Sequence, residues 1–319
     1  MAKTDRNNPK RASSSESTYS RRDFDQDFPD DAAALEWLVG YLYPDGIFCA
    51  KCGKITKHHR LRSRPAWACQ FCGSHEYPMR GTIFEGSSTS LRLWFEAIYL
   101  MSQTRCGISA KQLERELGVS YPTAHRMFKK IRSMLGQDDD QLSGEVEMDE
   151  TYYGGKPRLA DRERKPDGSL KRGRTAHSSR KQMVFGAVER GGRIRAEVVP
   201  KDERGGIARR VGEYVMPSSV IYTDEYVGYD KPGQAFTEHH RIRHAARIYV
   251  DGDVHTNTIE GFWALLKGGI GGVYHSVSSE YLQAYVDEYV FRYNHRESQG
   301  GMFSAFLGRI VKTVPETSV

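Results

Sequence analysis

Residues 145–153 read Glu-Val-Glu-Met-Asp-Glu-Thr-Tyr-Tyr, and the interpretation of the second half of the chain starts from this stretch. Acidic and apolar residues alternate in it, which is typical of a β-strand whose two faces differ. Val146 and Met148 would face one side, and Glu145, Glu147 and Asp149 the other. Carboxylates crowded on one face repel each other unless cations lie between them. Taken alone, the stretch would also fit a half-exposed strand with an acidic outer face.

Two further segments with polar or acidic residues lie downstream. Val220–Thr223 is a short apolar strand followed by Asp224, at the strand end where open α/β sheets usually carry their sites. A later segment has helical spacing, which would put Asn257, Glu260 and Lys267 on one helix face. Oxygen ligands from two strands and a helix suit a pair of Mg²⁺ (or Mn²⁺) ions, which can activate one oxygen and stabilise another in phosphodiester transfer.

The order of the predicted elements around these segments indicates an α/β fold. Strands are expected at 145–153, 182–188, 193–199 and 220–223, and helices at 207–215, 259–267 and 279–293. Three strands in a meander, followed by helix, strand and helices, predict a mixed sheet with helices packed on it. Gly268–Gly272 is expected to be a flexible turn.

Four cysteines near the N-terminus form the pattern C-x2-C-x16-C-x2-C. They are Cys49, Cys52, Cys69 and Cys72, and a glycine follows each pair. Four thiolates on two tight turns match tetrahedral Zn²⁺ at a closed structural site, and the metal would supply folding energy that so short a segment lacks. Four unrelated free cysteines, a redox pair and an iron–sulfur cluster are the alternatives.

Between the cysteines and the acidic segments the apolar period is helical. Helices are expected at Leu91–Met101, Ser109–Leu117 and Ser120–Arg132, and the last two are joined through Gly118. Two short helices of which the second is basic are typical of a helix-turn-helix with a recognition helix for the major groove. The basic residues of that helix are His125, Arg126, Lys129, Lys130 and Arg132, and the first four are the candidates for DNA contact. An ordinary helical pair with a solvated basic face is the alternative.

Three blocks of the second half resemble the catalytic blocks of bacterial insertion-sequence transposases, which have a DDE-type, RNase H-like and integrase-like core. The blocks are Met148–Lys156, Tyr222–Tyr226, and His255–Trp263 with Lys267. The subgroup that the chain resembles also carries an N-terminal zinc ribbon, which matches the cysteine pattern. The resemblance extends over roughly residues 30–300.

The resemblance implies an RNase H-like fold with Asp149 and Asp224 as metal ligands. The third ligand stays open between Asn257 and Glu260, because this family can use Asn in place of the usual Glu, and Lys267 would contact DNA near the cut. The implied activity is DNA transposition and recombination: binding of terminal inverted repeats, then Mg²⁺-dependent strand cleavage and strand transfer by a homo-oligomer. A catalytically silent DNA-binding protein derived from a transposase and a plain nuclease are the alternatives.

The segment Gly154–Lys181 is strongly basic, with ten Lys or Arg against three Asp or Glu. It lacks apolar periodicity, so we expect a long arm that DNA would order. The candidate DNA contacts in it are Arg162, Arg164, Lys165, Lys171, Arg172 and Arg174. A solvated loop is the alternative.

The whole chain has 319 residues and a formal net charge of +6, which favours a polyanionic partner. The resemblance implies that this partner is double-stranded DNA, both element ends and target. It contains no run of 18 apolar residues and no apolar leader at its start, so we expect a cytoplasmic protein, nucleoid-associated when bound, without membrane contact. The predicted division is a disordered tail (1–28), a zinc ribbon with a leading helix (29–88), a helix-turn-helix segment (89–137), an RNase H-like catalytic domain (142–300) and a C-terminal tail (301–319).

Overall fold

The computed structural model describes residues 19–154, 181–200, 203, 206–224, 226–242, 255–298 and 300–311. The chain divides into two units. The first unit contains the residues up to Met134 together with those from His295 onward, and the second unit runs from Leu135 to Asn294. Among the described residues, no helix has both the length and the apolar character needed to cross a bilayer.

The first unit combines small antiparallel sheets with helices. In chain order its elements up to Met134 are α1 (Arg21–Asp27), α2 (Asp31–Leu42), β1 (Phe48–Cys49), β2 (Lys54–Ile55), β3 (His58–Arg60), β4 (Trp67–Cys69), β5 (His75–Glu76), α3 (Leu91–Ser102), α4 (Ala110–Leu117) and α5 (Tyr121–Ser133). Strands β1 and β2 form one antiparallel pair, and β3, β4 and β5 form a three-stranded antiparallel sheet. The zinc-ribbon segment is therefore built from very short strands, as its turn-rich sequence predicts.

The predicted disordered tail 1–28 is wrong at its C-terminal end, because α1 lies within it. The hydroxyl of Ser20 accepts a hydrogen bond from the amide of Asp23, whose carboxylate accepts one from the amide of Ser20, so both ends of a capping box are made. Phe24 is fully buried, with its ring 5.1 Å from that of Tyr99. Two buried aromatic residues, Phe24 and Phe28, thus help to order a segment whose composition is polar. Residues 1–18 lie outside the described residues.

The second unit contains a five-stranded mixed sheet. Its elements are β6 (Glu145–Tyr153), β7 (Gln182–Glu189), β8 (Ile194–Val199), α6 (Gly206–Tyr214), β9 (Val220–Thr223), α7 (Asp230–Gly233), β10 (Glu238–Arg241), α8 (Asn257–Gly269) and α9 (Leu282–Asn294). The strand order is β10-β9-β6-β7-β8. Strands β6, β7 and β8 are antiparallel neighbours, whereas β9 runs parallel to both β6 and β10.

Helices cover both faces of this sheet, which confirms the predicted mixed sheet flanked by helices. On one face, Val146 and Met148 pack with α6 in one buried cluster. On the other face, the apolar side chains of β7 and β8 pack with those of α8 and α9. The alternation in 145–153 is thus real, and its acidic residues Glu147 and Asp149 lie on the α8 face. Strand β10 was not predicted from the sequence.

The expected flexible turn at Gly268–Gly272 is wrong. Helix α8 continues to Gly269, and a π-helical turn follows at Ile270–Tyr274. A side chain at Gly269 would run into Tyr289 of α9, so this glycine serves close packing of two helices.

The predicted C-terminal tail 301–319 is also wrong where the structure describes it. Residues Gly301–Leu307 form helix α10 of the first unit, with Phe303 and Phe306 buried. The ring of Phe303 stacks on that of Tyr19 at 4.9 Å, so aromatic burial fixes this end of the chain as well.

Candidate active site and metal centre

Asp149 and Asp224 occupy equivalent positions on two adjacent parallel strands. Strand β6 pairs with β9 in a register that sets Glu145 beside Val220 and Glu147 beside Tyr222. The two residues of each pair are 75 positions apart in sequence, and so are Asp149 and Asp224. Continuing the register therefore puts Asp149, in the middle of β6, beside Asp224, which directly follows β9.

The pKa shifts of the acids near Asp149 and Asp224 agree with that register. Burial, together with the charges of Asp224 and Glu260, raises the pKa of Asp149 to about 6. The neighbouring Glu150 lies on the opposite face of β6, where its carboxylate accepts a hydrogen bond of 2.9 Å from the hydroxyl of Tyr229. Burial and the charge of Asp224 raise the pKa of Glu150 to about 7. Asp149 and Glu150 are thus both close enough to Asp224 for its negative charge to raise their pKa values.

Helix α8 contacts Asp149 through Trp263. The indole Nε1 of Trp263 donates a hydrogen bond of 3.0 Å to Oδ2 of Asp149. Gly186 of β7 is the ladder partner of Asp149, and a Cβ on it would lie 2.7 Å from a ring carbon of Trp263. The absence of a side chain at Gly186 is what allows the indole to reach the carboxylate. Neither residue was predicted from the sequence, because Gly186 becomes recognisable only once β6 is paired with β7.

The other candidates of α8 lie on its exposed face, as the helical spacing predicts. Asn257 is the first residue of the helix, and both it and Glu260 are exposed. Oε1 of Glu260 accepts a hydrogen bond of 3.2 Å from the hydroxyl of Thr256. Lys267 is also exposed, in the last turn. The acids are neighbours rather than a closed cage: among the described residues, only the cysteine quartet brings at least three metal-binding side chains within 4.8 Å of one another.

Glu147, on the same face as Asp149, has a different environment. It is fully buried and contacts the first turn of α8 together with Arg190 and His255. The alternation pattern predicted the face of this residue but not its partners, because periodicity does not identify the element that covers a face.

The cysteine quartet has the geometry of a tetrahedral metal site. The Sγ atoms of Cys49 and Cys72 are 3.5 Å apart, and those of Cys52 and Cys69 are 3.8 Å apart. A tetrahedron with metal–sulfur bonds of about 2.3 Å has edges of about 3.8 Å. The quartet therefore fits a structural Zn²⁺ ion.

The two turns that carry the cysteines are shaped by glycine and by hydrogen bonds to sulfur. The glycine after each pair, Gly53 and Gly73, has a positive φ, of 66° and 68°, which any other residue would adopt with strain. The hydroxyl of Thr56 lies 3.2 Å from Sγ of Cys69 and, with the amides of Phe71 and Cys72, lowers the pKa of that thiol to about 5. Cys69 thus favours the thiolate form, which is the form that binds zinc.

Helices α4 and α5 are both present and are joined at Gly118, which ends α4 in the left-handed conformation. His125, Arg126 and Lys129 are exposed on α5. Lys130 is half-buried and donates a hydrogen bond of 3.0 Å to the carbonyl of Ile83. DNA contact by these four residues stays a prediction. The basic residues of the predicted arm (Arg162, Arg164, Lys165, Lys171, Arg172 and Arg174) lie outside the described residues.

The inclusion of Arg132 in the basic face of that helix is wrong. Its side chain is buried, with the guanidinium 3.7 Å from the ring centre of Phe128. The aromatic ring one turn earlier in the helix turns this cation inward, where it packs instead of reaching solvent.

Comparison with known proteins identifies related domains in both halves. Residues 141–294 match the ISXO2-like transposase domain, and residues 29–75 match a transposase zinc-ribbon domain. A protein of the transposable element ISH50 from Halobacterium salinarum is 29% identical over 272 residues, which cover 83% of this chain and 91% of that protein. A transposase-like protein from Haemophilus influenzae is 26% identical over 115 residues, 36% of this chain and 90% of its own. No solved structure matches the chain.

Proposed function

Because this chain belongs to the insertion-sequence transposases that combine a zinc ribbon with an ISXO2-like transposase domain, we propose that it binds the terminal inverted repeats of its element and catalyses Mg²⁺-dependent strand cleavage and strand transfer. The observation that carries the proposal is the register of β6 with β9, which continues to Asp149 beside Asp224, together with the charge of Asp224 acting on Asp149. Their mutual repulsion is relieved when a cation lies between them.

The donor set fits hard divalent cations. Asp149 and Asp224 would hold Mg²⁺ or Mn²⁺ through carboxylate oxygens, and the first turn of α8 would add an oxygen from Asn257 or Glu260. When bound, two such cations would polarise the attacking oxygen and stabilise the leaving oxygen of the phosphodiester. The indole of Trp263 holds one oxygen of Asp149 in place, which limits the rotation of that carboxylate before DNA arrives.

The reaction needs little from the protein besides alignment and charge compensation. Water would attack the phosphorus at the element end, and cleavage would free a 3′-hydroxyl and leave a 5′-phosphate. That hydroxyl would then attack a target phosphodiester in line, with the target's own 3′-oxygen as leaving group. Lys267, exposed two turns beyond Glu260, is positioned to contact a phosphate of the bound strand.

The first unit would contribute to DNA binding. His125, Arg126 and Lys129 lie on the solvent face of α5, where a recognition helix presents its contacts. The charge of the arm 154–181 would add sequence-independent binding to the backbone. Joining of two element ends requires two active sites, so the DNA-bound form is proposed to be a homo-oligomer.

One assay tests the proposal against its alternatives. Pre-cleaved element ends are incubated with target DNA and Mg²⁺, and the strand-transfer product is measured for the wild-type chain, for Asp149→Ala and for Asp224→Ala. Glu280→Ala, an exposed acid of the same unit, is the matched control and should keep full activity. Both aspartate variants should bind ends and form no product. Binding without cleavage by the wild type would indicate a silent DNA-binding protein, and cleavage without joining would indicate a nuclease.

The same assay identifies the third ligand. Asn257→Ala and Glu260→Ala are compared over a titration of Mg²⁺ and of Mn²⁺. The variant that has lost a ligand should need a higher cation concentration, whereas the other should follow the wild-type titration. Equal titrations of wild type and both variants would exclude the first turn of α8 from the metal site.

A further inference from the structure

Glu147 makes an unusually complete set of contacts for a buried carboxylate. Its side chain has no exposure to solvent. Oε2 accepts hydrogen bonds from the backbone amides of Thr258 at 2.8 Å and Ile259 at 3.1 Å. Oε1 accepts from the hydroxyl of Thr258 at 3.0 Å and from Nε of Arg190 at 2.9 Å, and Nδ1 of His255 lies 3.1 Å away.

These contacts take the place of a helix cap. Thr256, the residue at the N-cap position of α8, makes no capping hydrogen bond with its side chain. The first amides of a helix have no acceptor within the helix, and they carry the positive end of its dipole. A carboxylate from strand β6 supplies that acceptor across 111 positions of sequence. Glu147 therefore fastens the start of α8 to the sheet.

Arg190 completes the junction. It follows β7 directly, and besides Glu147 it contacts Glu145 at 3.2 Å and the carbonyl of His255 at 2.9 Å. Its guanidinium lies 3.8 Å from the ring centre of Tyr222 in β9. One cation thus neutralises the buried carboxylate and links β6, β9 and the residues before α8.

The junction lies between Asp149 on β6 and the candidate third ligands, Asn257 and Glu260, on α8. Glu147 is two residues before Asp149 on the same strand face, a step of about 6.6 Å. The amides that it binds belong to the residues between Asn257 and Glu260. Four residues beyond Ile259, a rise of about 6 Å, Trp263 contacts Asp149. Successive turns of α8 therefore contact successive residues on the α8 face of β6, because the rise along the helix nearly equals the step along the strand.

We propose that Glu147 is a positioning residue that fixes α8 along β6 and so sets the distance from Asp149 to the third metal ligand. The inference rests on the proposed function, because it assigns a purpose to the spacing within that metal site. It identifies no role for Glu147 in binding metal or DNA. Residues that orient metal ligands typically change metal affinity or activity by about 10- to 100-fold when they are replaced.

The test compares Glu147→Gln with Glu145→Gln in the full-length chain. Glutamine keeps the shape of the glutamate side chain, but its NH2 group would face the donors that the carboxylate binds. It also leaves Arg190 without its buried counter-charge. Glu145 lies on the same strand and also pairs with Arg190, but its side chain is 54% exposed instead of buried, so it is the matched control. Two properties are measured: Mn²⁺ affinity by calorimetry, and amide hydrogen exchange of peptides covering the first turn of α8.

Glu147→Gln should lose exchange protection at Thr258 and Ile259 and bind Mn²⁺ about 10- to 100-fold more weakly, whereas Glu145→Gln should match the wild type. A folded Glu147→Gln protein with wild-type Mn²⁺ affinity would overturn the inference. If Glu147→Gln does not fold, Thr258→Val removes one donor to the carboxylate and should weaken Mn²⁺ binding in the same direction, while Thr258→Ser should restore it. Equal affinity in these two variants would overturn the inference as well.

Failure of the proposed function gives a different result. A wild-type chain that binds no Mn²⁺ contradicts the metal site itself, whatever the variants do. In that case the exchange measurement still reports whether Glu147 caps α8, and unchanged protection in Glu147→Gln would reject that contact independently of any activity.

Discussion

Substitution of Gly186 by alanine should disable the active site through a contact that does not involve DNA or metal. The added Cβ would lie 2.7 and 2.8 Å from two ring carbons of Trp263 and 3.2 Å from Cδ1 of Ile259. Carbon atoms pack at about 3.5–4.0 Å, so the indole has to move by about 1 Å. Overpacking of this kind costs about 1–3 kcal/mol of folding stability.

The same displacement should reduce the rate of strand transfer. Trp263 holds Asp149 and is part of the helix that carries Asn257 and Glu260, so a shift of the ring changes the spacing of the site. A misplacement of about 1 Å in reacting groups can lower a rate by about 100-fold. The assay is single-turnover strand transfer from pre-cleaved ends at saturating Mg²⁺, together with thermal unfolding of the same samples.

The control is Gly212→Ala in α6, where an added Cβ has nothing within 4 Å. This variant should keep its activity and gain up to about 1 kcal/mol, because alanine favours the helix over glycine. Trp263→Phe removes the clashing ring atoms, so the double variant with Gly186→Ala should be less destabilised than the sum of the two single variants. If Gly186→Ala melts at the wild-type temperature and transfers strands at the wild-type rate, the contact of Trp263 with Gly186 does not set the geometry of Asp149.

Other perturbations address the zinc site, the DNA interface and the titration of the acids. Chelation of zinc, or Cys69→Ser, should unfold the ribbon, because metal binding supplies about 10–16 kcal/mol in small zinc domains; a ribbon whose circular dichroism survives both treatments would contradict this. Arg126→Ala should lower the slope of log affinity for DNA against log salt by about one, and Arg22→Ala, a change on the exposed face of α1, should leave it unaltered; equal slopes for the two variants would remove Arg126 from the interface. Without divalent cation, stability should fall as pH rises from 3.8 to about 6, since the folded chain keeps the proton of Asp149 over that range and the unfolded chain releases it. Asp149→Asn should flatten this decline in thermal unfolding, and parallel curves for wild type and variant would show that the assigned pKa is wrong.

The sequence predicted those parts of the molecule that depend on local spacing. The cysteine pattern identified the zinc site, because a tight turn brings two sulfurs together without reference to the rest of the fold. Alternation in 145–153 gave the correct face for Glu147 and Asp149, and helical spacing gave the exposed face with Asn257 and Glu260.

The parts that it missed depend on contacts between distant segments. Glu147 and Asp149 look equivalent in the alternation, yet one caps a helix and the other lies beside Asp224, since the register of α8 along β6 is set by tertiary packing. Composition likewise predicted tails at both ends, although Phe24 and Phe303 bury their rings there. A few aromatic side chains can order segments that are polar on average.

Anomalous X-ray scattering from crystals of the chain grown with element-end DNA and Mn²⁺ tests whether divalent cations lie between Asp149 and Asp224. We expect an anomalous peak within coordination distance of a carboxylate oxygen from each aspartate, on the α8 side of the sheet, and no such peak for Asp149→Asn. A Mn²⁺ peak elsewhere, with the two carboxylates turned away from each other, would contradict that placement of the cations.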